Sequence, residues 1–207
     1  MTAQTKQFPT TLVVVGFILI VATAAVITLS TGGDTGLPEL SQVPPFELTS
    51  QHDQLVHTDQ LKGKVWIADL IFTTCSGPCL RMTSQMYRVQ EAMADVTDFR
   101  MVSISVDPVR DTPERLTWYA DMTLADPDKW IFLTGDLNLI KSLAIDGFKL
   151  AVANDDHTEP DPNAILHSDR FVLVDQTGRI RGYYAGLEEP DLERLIHDAR
   201  TLADQGA

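Results

Sequence analysis

The stretch VWIADLIFTTCSGPCLRM, residues 65–82, decides the fold, because a strand-like run leads directly into both cysteines of the chain. Val65 to Phe72 is apolar except for Asp69, which is typical of a strand that is covered on both faces. Beyond the cysteines, apolar side chains recur at helical spacing. Cys75 and Cys79 therefore lie where a central strand passes into a helix.

The spacing of the two cysteines limits their chemistry. A disulfide-stabilised scaffold distributes several cysteines along the chain, so this isolated pair indicates a redox pair or a soft-metal site. A helix that begins around Cys75 would lower the thiol pKa through its free N–H groups and its dipole. Positions four apart on a helix have Cβ atoms about 5 to 6 Å apart, more than the roughly 3.5 to 4.5 Å of a relaxed disulfide. Two sulfurs that each lie about 2.3 Å from one ion can be up to about 4.6 Å apart, which favours a metal.

The choice of metal follows from the available ligands. Structural zinc usually takes four ligands, and the sequence has no third cysteine. Two sulfurs and one imidazole suit Cu(I), so copper is the favoured ion on chemical grounds.

The composition of the chain excludes one broad class of partner. With 16 Lys and Arg against 29 Asp and Glu, the formal net charge of the 207 residues is -13. Such a surface repels phosphate backbones, and the sequence has no run of basic residues to offset that repulsion. Nucleic acid is therefore not an expected partner.

An uncharged segment near the N-terminus predicts membrane attachment. Residues 12–29, LVVVGFILIVATAAVITL, are long enough to cross the hydrocarbon core as a helix. Lys6 precedes the segment and acidic residues follow it, so the positive-inside rule places residues 1–11 in the cytoplasm. We expect a single-pass protein of the bacterial plasma (inner) membrane, with its domain facing the periplasm or the cell exterior. A cleaved signal peptide is the alternative, but the small residues of its cleavage site would fall inside the apolar run.

The rest of the sequence divides into a tether and one domain. Residues 30–45 are rich in Gly, Thr, Ser and Pro without an apolar period, which predicts a flexible linker before a folded domain at 46–207. Within that domain strand-like and helix-like runs alternate, and Thr112 with Pro113 predicts a helix start. A hairpin pattern follows at 170–184. The expected fold class is α/β, with a mixed central sheet flanked by helices and preceded by one transmembrane helix.

Four segments of the chain resemble the SCO/SenC family. They agree with the family in order and spacing, and they are FTTCSGPCLRM at 72–82, SISVDPVRDTPERLTWYA at 103–120, WIFLTGD at 130–136 and ILHSDRFVLVDQTGRI at 165–180. The resemblance implies a thioredoxin-like fold and a copper ion bound by the CxxxC pair and one distant histidine, which here are Cys75, Cys79 and His167. It also implies a role in assembly of the binuclear copper site of cytochrome c oxidase. Many relatives have proline after each cysteine, where this chain has Ser76 and Leu80.

Other residues have two interpretations each. Asp69 stands six positions before Cys75, where a buried carboxylate would move protons during thiol exchange, as in thioredoxins, or would only bond a neighbouring backbone group. We therefore include Asp69 beside the two cysteines as a candidate catalytic residue. Met82 and Met86 carry soft sulfur ligands, but their helical spacing favours core packing. Asp107 ends the second strand, where it would support the site, take part in docking or only form a turn.

Two functions are compatible with these residues. The first is a membrane-anchored chaperone that holds copper, as Cu(I) or alternatively as Cu(II), and delivers it to the copper-site subunit of cytochrome c oxidase. The second is a thiol-disulfide oxidoreductase that reduces the cysteines of that subunit. Another periplasmic copper carrier or a thiol reductant would be a further partner. A peroxidase is less well supported, because the usual single nucleophilic cysteine with its arginine motif is missing from the sequence.

Overall fold

The computed structural model describes residues 36–75, 77–150 and 168–205. The predicted transmembrane segment at 12–29 and the predicted ligand His167 therefore lie outside the described residues. Across the three described ranges, no helix is both long and apolar enough to cross a bilayer.

The described residues form seven strands and four α-helices. The strands are β1 (Glu47–Ser50), β2 (Leu55–His57), β3 (Val65–Ile71), β4 (Phe99–Ser105), β5 (Trp130–Thr134), β6 (Arg170–Val174) and β7 (Ile180–Ala185). The helices are α1 (Pro78–Ala92), α2 (Pro113–Met122), α3 (Leu137–Ser142) and α4 (Glu189–Gln205). A 3-10 turn at Thr58–Leu61 precedes β3, and a π-helical turn at Leu143–Gly147 follows α3.

All seven strands join one mixed sheet in the order β2-β1-β5-β4-β3-β6-β7. Strand β4 is parallel to both of its neighbours, β3 and β5, whereas the other neighbouring pairs are antiparallel. Helices α1 and α2 provide the crossovers that parallel strands need, as the alternation of runs in the sequence predicts. The predicted hairpin is formed by β6 and β7. The expected α/β class with a mixed sheet flanked by helices is confirmed.

The sheet has an apolar core on each face. Successive side chains of β3 point to opposite faces, so Trp66 packs into one core and Ile67 into the other. All seven residues of β3 are buried, which explains the nearly continuous apolar run in the sequence. Met82 and Met86 of α1 are 2% and 0% exposed in the second core. Their interpretation as packing residues is therefore confirmed.

The starts of two helices test the capping signals in the sequence. Helix α2 begins at Pro113 and the Thr112 hydroxyl accepts the Arg115 N–H, as predicted. Helix α1 begins at Pro78, three residues later than the start around Cys75 that we considered. Proline suits the first helical position because its missing N–H has no helical partner there. The distance argument for two cysteines on one helix face consequently does not apply, because only the second cysteine is helical.

The folded domain begins earlier than Phe46. The Leu40 N–H donates to the Ile180 carbonyl at 2.9 Å, and the Val43 N–H donates to the Gly178 carbonyl at 3.0 Å. Val43 is also 3% exposed and belongs to the first core. The predicted flexible linker is therefore shorter than residues 30–45. Backbone hydrogen bonds of this kind leave no apolar period in the sequence, which is why the pattern missed them.

Candidate functional site

The two cysteines lie at the sheet edge where the parallel strands end. Strand β3 ends at Ile71, and Phe72–Cys75, here called the cysteine loop, continues towards α1. The Cys75 N–H donates to the Phe72 carbonyl at 3.2 Å, so the loop forms a turn. Cys79 lies in the first turn of α1 and is 7% exposed, whereas Cys75 is partly exposed. Both are free thiols.

Cys75 carries the sulfur that ionises more easily. Its partial burial disfavours the thiolate, but hydrogen bonds from the Cys79 thiol and from the backbone N–H groups of Gly77 and Cys79 outweigh that effect. The pKa of Cys75 therefore lies below its ordinary value. These backbone donors belong to the start of α1, so the helix terminus favours negative charge at Cys75, although the cysteine itself precedes the helix.

Cys79 has the opposite environment. Burial is the main cause that raises the pKa of its thiol to about 12, followed by its hydrogen bond with Cys75. The negative charges of Cys75 and Asp69 raise it further. The pair therefore combines one sulfur that readily forms a thiolate with one that keeps its proton, which is the asymmetry expected of a reactive dithiol.

Asp69 is a buried carboxyl group held by a short chain of hydrogen bonds. It is 1% exposed and lies opposite Ser103 in the parallel pairing of β3 with β4. The Ser103 hydroxyl donates to Asp69 Oδ1 at 2.6 Å, and Trp130 Nε1 donates to Ser103 Oγ at 2.8 Å. Asp69 Oδ2 has no hydrogen-bond partner among the described residues. Burial raises the pKa of Asp69 to about 7, although the Ser103 bond opposes the shift.

Asp69 and Tyr119 belong to the electrostatic surroundings of the dithiol. The charge of Asp69 raises the pKa of Cys79, and the charges of Asp69 and both cysteines contribute to the raised pKa of Tyr119. Burial is the main cause that raises the pKa of Tyr119 to about 12, and its hydroxyl lies 2.9 Å from that of Thr83. The structure thus places Asp69 near the thiols, and its part in proton transfer stays a prediction. Tyr119 was not identified from the sequence, where it reads only as an apolar position of α2.

A second buried carboxylate, which the sequence analysis did not identify, contacts the cysteine loop. Asp111 is 0% exposed and accepts hydrogen bonds from the N–H and the hydroxyl of Thr73 at 3.0 and 2.6 Å. The Ser105 hydroxyl at the end of β4 donates to the same carboxylate at 2.5 Å. Asp107, the acidic residue that the sequence did suggest, instead forms an ion pair with Arg110 at 2.8 Å. The last residue of β4 and the cysteine loop are therefore joined through Asp111.

The described residues contain part of the predicted ligand set. Cys75 and Cys79 are brought together, whereas His167 lies outside the described residues. The description resumes at Ser168, two residues before β6. In the described parts of the chain, no group of three or more His, Cys, Asp or Glu side chains is placed to hold a metal ion.

Most of the chain matches a known family. The family model described as SCO1/SenC matches residues 36–204. This chain belongs to the SCO1/SenC family. The match covers the cysteine loop, the segment around Asp111 and the β6–β7 hairpin, so the residues of the candidate site lie within the SCO1/SenC domain.

SCO1/SenC relatives are similar in sequence and in fold. The SCO1 protein homolog of Bacillus subtilis is 33% identical over 164 residues, which cover 78% of this chain and 83% of the homolog. BsSco, described as a member of the Sco family of cytochrome c oxidase assembly proteins with a disulfide switch, is 33% identical, with a TM-score of 0.69 over 81% of this chain and 97% of BsSco. Copper-bound ScoI of Bradyrhizobium japonicum is 25% identical, with a TM-score of 0.62 over 78% of this chain and 99% of ScoI. The predicted thioredoxin-like fold is therefore confirmed.

Proposed function

We propose that this SCO1/SenC protein is a copper chaperone that binds the ion through Cys75, Cys79 and His167 and delivers it to the copper-site subunit of cytochrome c oxidase. The observation that carries the proposal is the dithiol at the start of α1. In this pair the Cys75 sulfur accepts hydrogen bonds from backbone N–H groups, whereas the Cys79 thiol keeps its proton. The copper bound to ScoI and the cytochrome c oxidase assembly family of BsSco support the same ion and the same recipient.

The chemistry of the two sulfurs suits Cu(I). Thiolates are soft ligands, and Cu(I) prefers them to the oxygen ligands that dominate this acidic surface. Cys75 supplies a thiolate readily because its pKa is lowered, whereas Cys79 has to release its proton when the ion binds. Copper binding is therefore expected to release a proton and to strengthen as pH rises. Cu(II) is the alternative state of the same cargo.

The pairing of β6 with β3 supports His167 as the third ligand. These strands are antiparallel, with Ala68 opposite Val172. Continuing that register brings Arg170, the first residue of β6, opposite Leu70, next to the end of β3 from which the cysteine loop leaves. Ser168 is therefore on the cysteine side of the sheet, and the residue before it in the sequence is the predicted histidine ligand.

Packing at Gly186 shows that the chain at Asp169, just before β6, lies beside α1. A Cβ atom on Gly186 would lie 3.0 Å from Met82 Cε and 3.1 Å from the Asp169 carbonyl oxygen. The Gly186 N–H also donates to that carbonyl at 2.6 Å. The chain that leads into β6 therefore passes close to the first turns of α1, the helix that carries Cys79. This proximity supports a ligand set that draws on both segments.

The proposed location is the bacterial plasma membrane. We propose that residues 12–29 form a single-pass anchor after a cytoplasmic segment at 1–11, with the domain facing the periplasm or the cell exterior. The recipient oxidase subunit, and any second copper carrier or thiol reductant that serves this protein, would be reached from that side.

Titration of the full-length protein in detergent with Cu(I), under reducing conditions and against a chromophoric chelator, tests the ligand assignment. We expect one ion per chain and a loss of at least about tenfold in affinity in Cys75→Ala and His167→Ala variants, because each loses one ligand. His197→Ala is the matched control, since His197 is an exposed histidine on α4. Equal Cu(I) affinities in His167→Ala and His197→Ala would show that His167 is not a ligand.

A thiol-disulfide oxidoreductase is the second candidate, because the pKa asymmetry of the pair also suits exchange. The Cys75 thiolate would attack a disulfide of the recipient, and Cys79 would then displace the reduced recipient. Two electrons pass to the recipient, and the protein retains a Cys75–Cys79 disulfide. In this reaction we expect Asp69, whose pKa is raised to about 7, to accept the Cys79 proton.

A recipient-derived peptide with an internal disulfide distinguishes the two roles. Stoichiometric reduction of this peptide by the dithiol protein, slowed in Asp69→Asn, would support the exchange reaction. A peptide that stays oxidised while the protein still binds Cu(I) would leave only the carrier role.

A further inference from the structure

We propose that Asp111 is a positioning residue that holds the cysteine loop in its dithiol arrangement and thereby favours the reduced, copper-binding state of the pair. This inference rests on the proposed function, since it concerns which redox state the copper ligands occupy. The contact that does this is the pair of hydrogen bonds from Thr73 to Asp111, here called the Asp111 latch.

The latch fixes the cysteine loop at a backbone atom as well as at a side chain. The Thr73 N–H donates to Asp111 Oδ2 at 3.0 Å, and the Thr73 hydroxyl donates to Oδ1 at 2.6 Å, so both carboxylate oxygens are used. Both residues are buried, and Thr73 lies only two positions before Cys75. Hydrogen bonds to a charged acceptor are stronger than neutral ones, so this attachment is firm.

The same carboxylate is also hydrogen-bonded to the sheet. The Ser105 hydroxyl, at the end of β4, donates to Asp111 Oδ2 at 2.5 Å and accepts the Asp107 N–H at 3.1 Å. Arg115 of α2 donates through Nε to the Thr73 hydroxyl oxygen at 3.0 Å. The latch is therefore connected to a strand and a helix, which themselves are held by the core, so Thr73 in the cysteine loop cannot move without disturbing buried hydrogen bonds.

Closing the disulfide requires such a movement. Both sulfurs are free thiols, and a covalent bridge needs them about 2.05 Å apart. Cys79 is buried in the first turn of α1, so the partly exposed Cys75 is the side that can move. Because Cys75 is two residues from Thr73, this shift strains or breaks a bond of the latch, which penalises the disulfide relative to the dithiol.

Equilibration of the full-length protein with glutathione measures this penalty. In the reaction, the dithiol passes two electrons to glutathione disulfide, forming the Cys75–Cys79 bond and two molecules of reduced glutathione, with the thiol protons retained on the glutathione thiols. The fraction of disulfide at a fixed ratio of reduced to oxidised glutathione gives the equilibrium constant. No copper is added, so the result does not depend on metal binding.

Matched variants are available because the chain repeats the same contact elsewhere. Asp175 Oδ1 accepts both the N–H and the hydroxyl of Thr177, at 2.9 and 2.7 Å. That pair lies at the β6–β7 turn, next to Val174. Val174 pairs with Trp66 near the start of β3, whereas the cysteine loop follows the other end of this strand. Asp175→Asn and Thr177→Val therefore remove the same groups away from the dithiol.

We expect Asp111→Asn and Thr73→Val to shift the glutathione equilibrium towards the disulfide by about fivefold. These variants already lack a hydrogen bond of the latch, so disulfide formation no longer has to break it. Asp175→Asn and Thr177→Val should match the wild type, and Thr73→Ser, which keeps the hydroxyl, should restore its value. Thr73→Val retains the Thr73 N–H bond and so provides the test if Asp111→Asn fails to fold.

Two outcomes would overturn the latch. One is an equilibrium constant in Thr73→Val equal to that in Thr177→Val, and the other is a shift towards the dithiol. A wild-type protein that binds no Cu(I) would instead refute the proposed function and leave the glutathione result valid.

Discussion

Replacing Asp69 by asparagine should change how the stability of the protein depends on pH. Burial raises the pKa of this carboxyl group from its ordinary value of 3.8 to about 7. Between these two values the folded protein holds a proton that the unfolded chain has released. Stability therefore falls as pH rises towards 7, because the charged carboxylate is disfavoured in the core and favoured in the unfolded chain.

The magnitude follows from the width of that pH window. Between about pH 5 and pH 7 the folded state binds one more proton than the unfolded state, and each pH unit costs about 1.36 kcal/mol. The wild type should thus lose about 2.7 kcal/mol of unfolding free energy from this group between about pH 5 and pH 8.5. The asparagine side chain of the variant is neutral throughout, and its amide oxygen can accept the Ser103 hydroxyl in place of the carboxyl group. The variant therefore lacks this loss.

Urea denaturation of the wild type and Asp69→Asn at about pH 5 and pH 8.5 measures the difference. We expect the two proteins to be similar at the lower pH and the variant to be more stable by about 2 to 3 kcal/mol at the higher pH. Asp175→Asn is the control. Burial opposes ionisation of Asp175, but its hydrogen bonds outweigh burial and lower its pKa. Asp175 is therefore ionised at both pH values of the assay. A stability difference between wild type and Asp69→Asn that does not change with pH would refute a protonated, buried Asp69.

Two further substitutions test the helices that flank the site. Thr112→Ala should cost about 1 kcal/mol of unfolding free energy, because the Arg115 N–H loses its cap acceptor, whereas Thr112→Ser should cost much less; parallel urea melts would show equal losses if the cap were unimportant. Met86→Ala should cost about 2 to 5 kcal/mol, because Met86 is fully buried in the second core, and the exposed Ser84→Ala on the same helix should be nearly neutral in thermal and urea unfolding. Comparable losses at positions 84 and 86 would contradict the packing of α1.

Local patterns predicted the central part of the fold. Strands β3 and β4 are long apolar runs because both of their faces are covered, and α2 starts at the threonine and proline that the capping rules select. The sequence suggested a start of α1 around Cys75, whereas the helix begins at Pro78, because only the proline fits a first helical position. Strand β2 at the edge of the sheet and its neighbour β1 were not predicted, since they are short and mostly exposed on one side.

The candidate site was predictable only where its residues are close in the sequence. Cys75 and Cys79 are four positions apart, and Asp69 stands out as a polar residue in an apolar strand. Asp111 gives no such signal, because its partner Thr73 lies 38 residues away and the carboxylate precedes a helix cap, where acidic residues are common. Contacts of this kind depend on the pairing of β3 with β4, which no local pattern specifies.

The chain between Leu37 and Val43 has a consequence for the outer edge of the sheet. Strand β7 is the last in the order, so its unpaired N–H and C=O groups would be open to a strand from another molecule. Leu40 and Ser41 instead exchange backbone hydrogen bonds with Ile180. The chain before Phe46 thus covers the start of β7 against pairing with a strand from another molecule, and a shortened version that starts at Phe46 would expose that part of the edge.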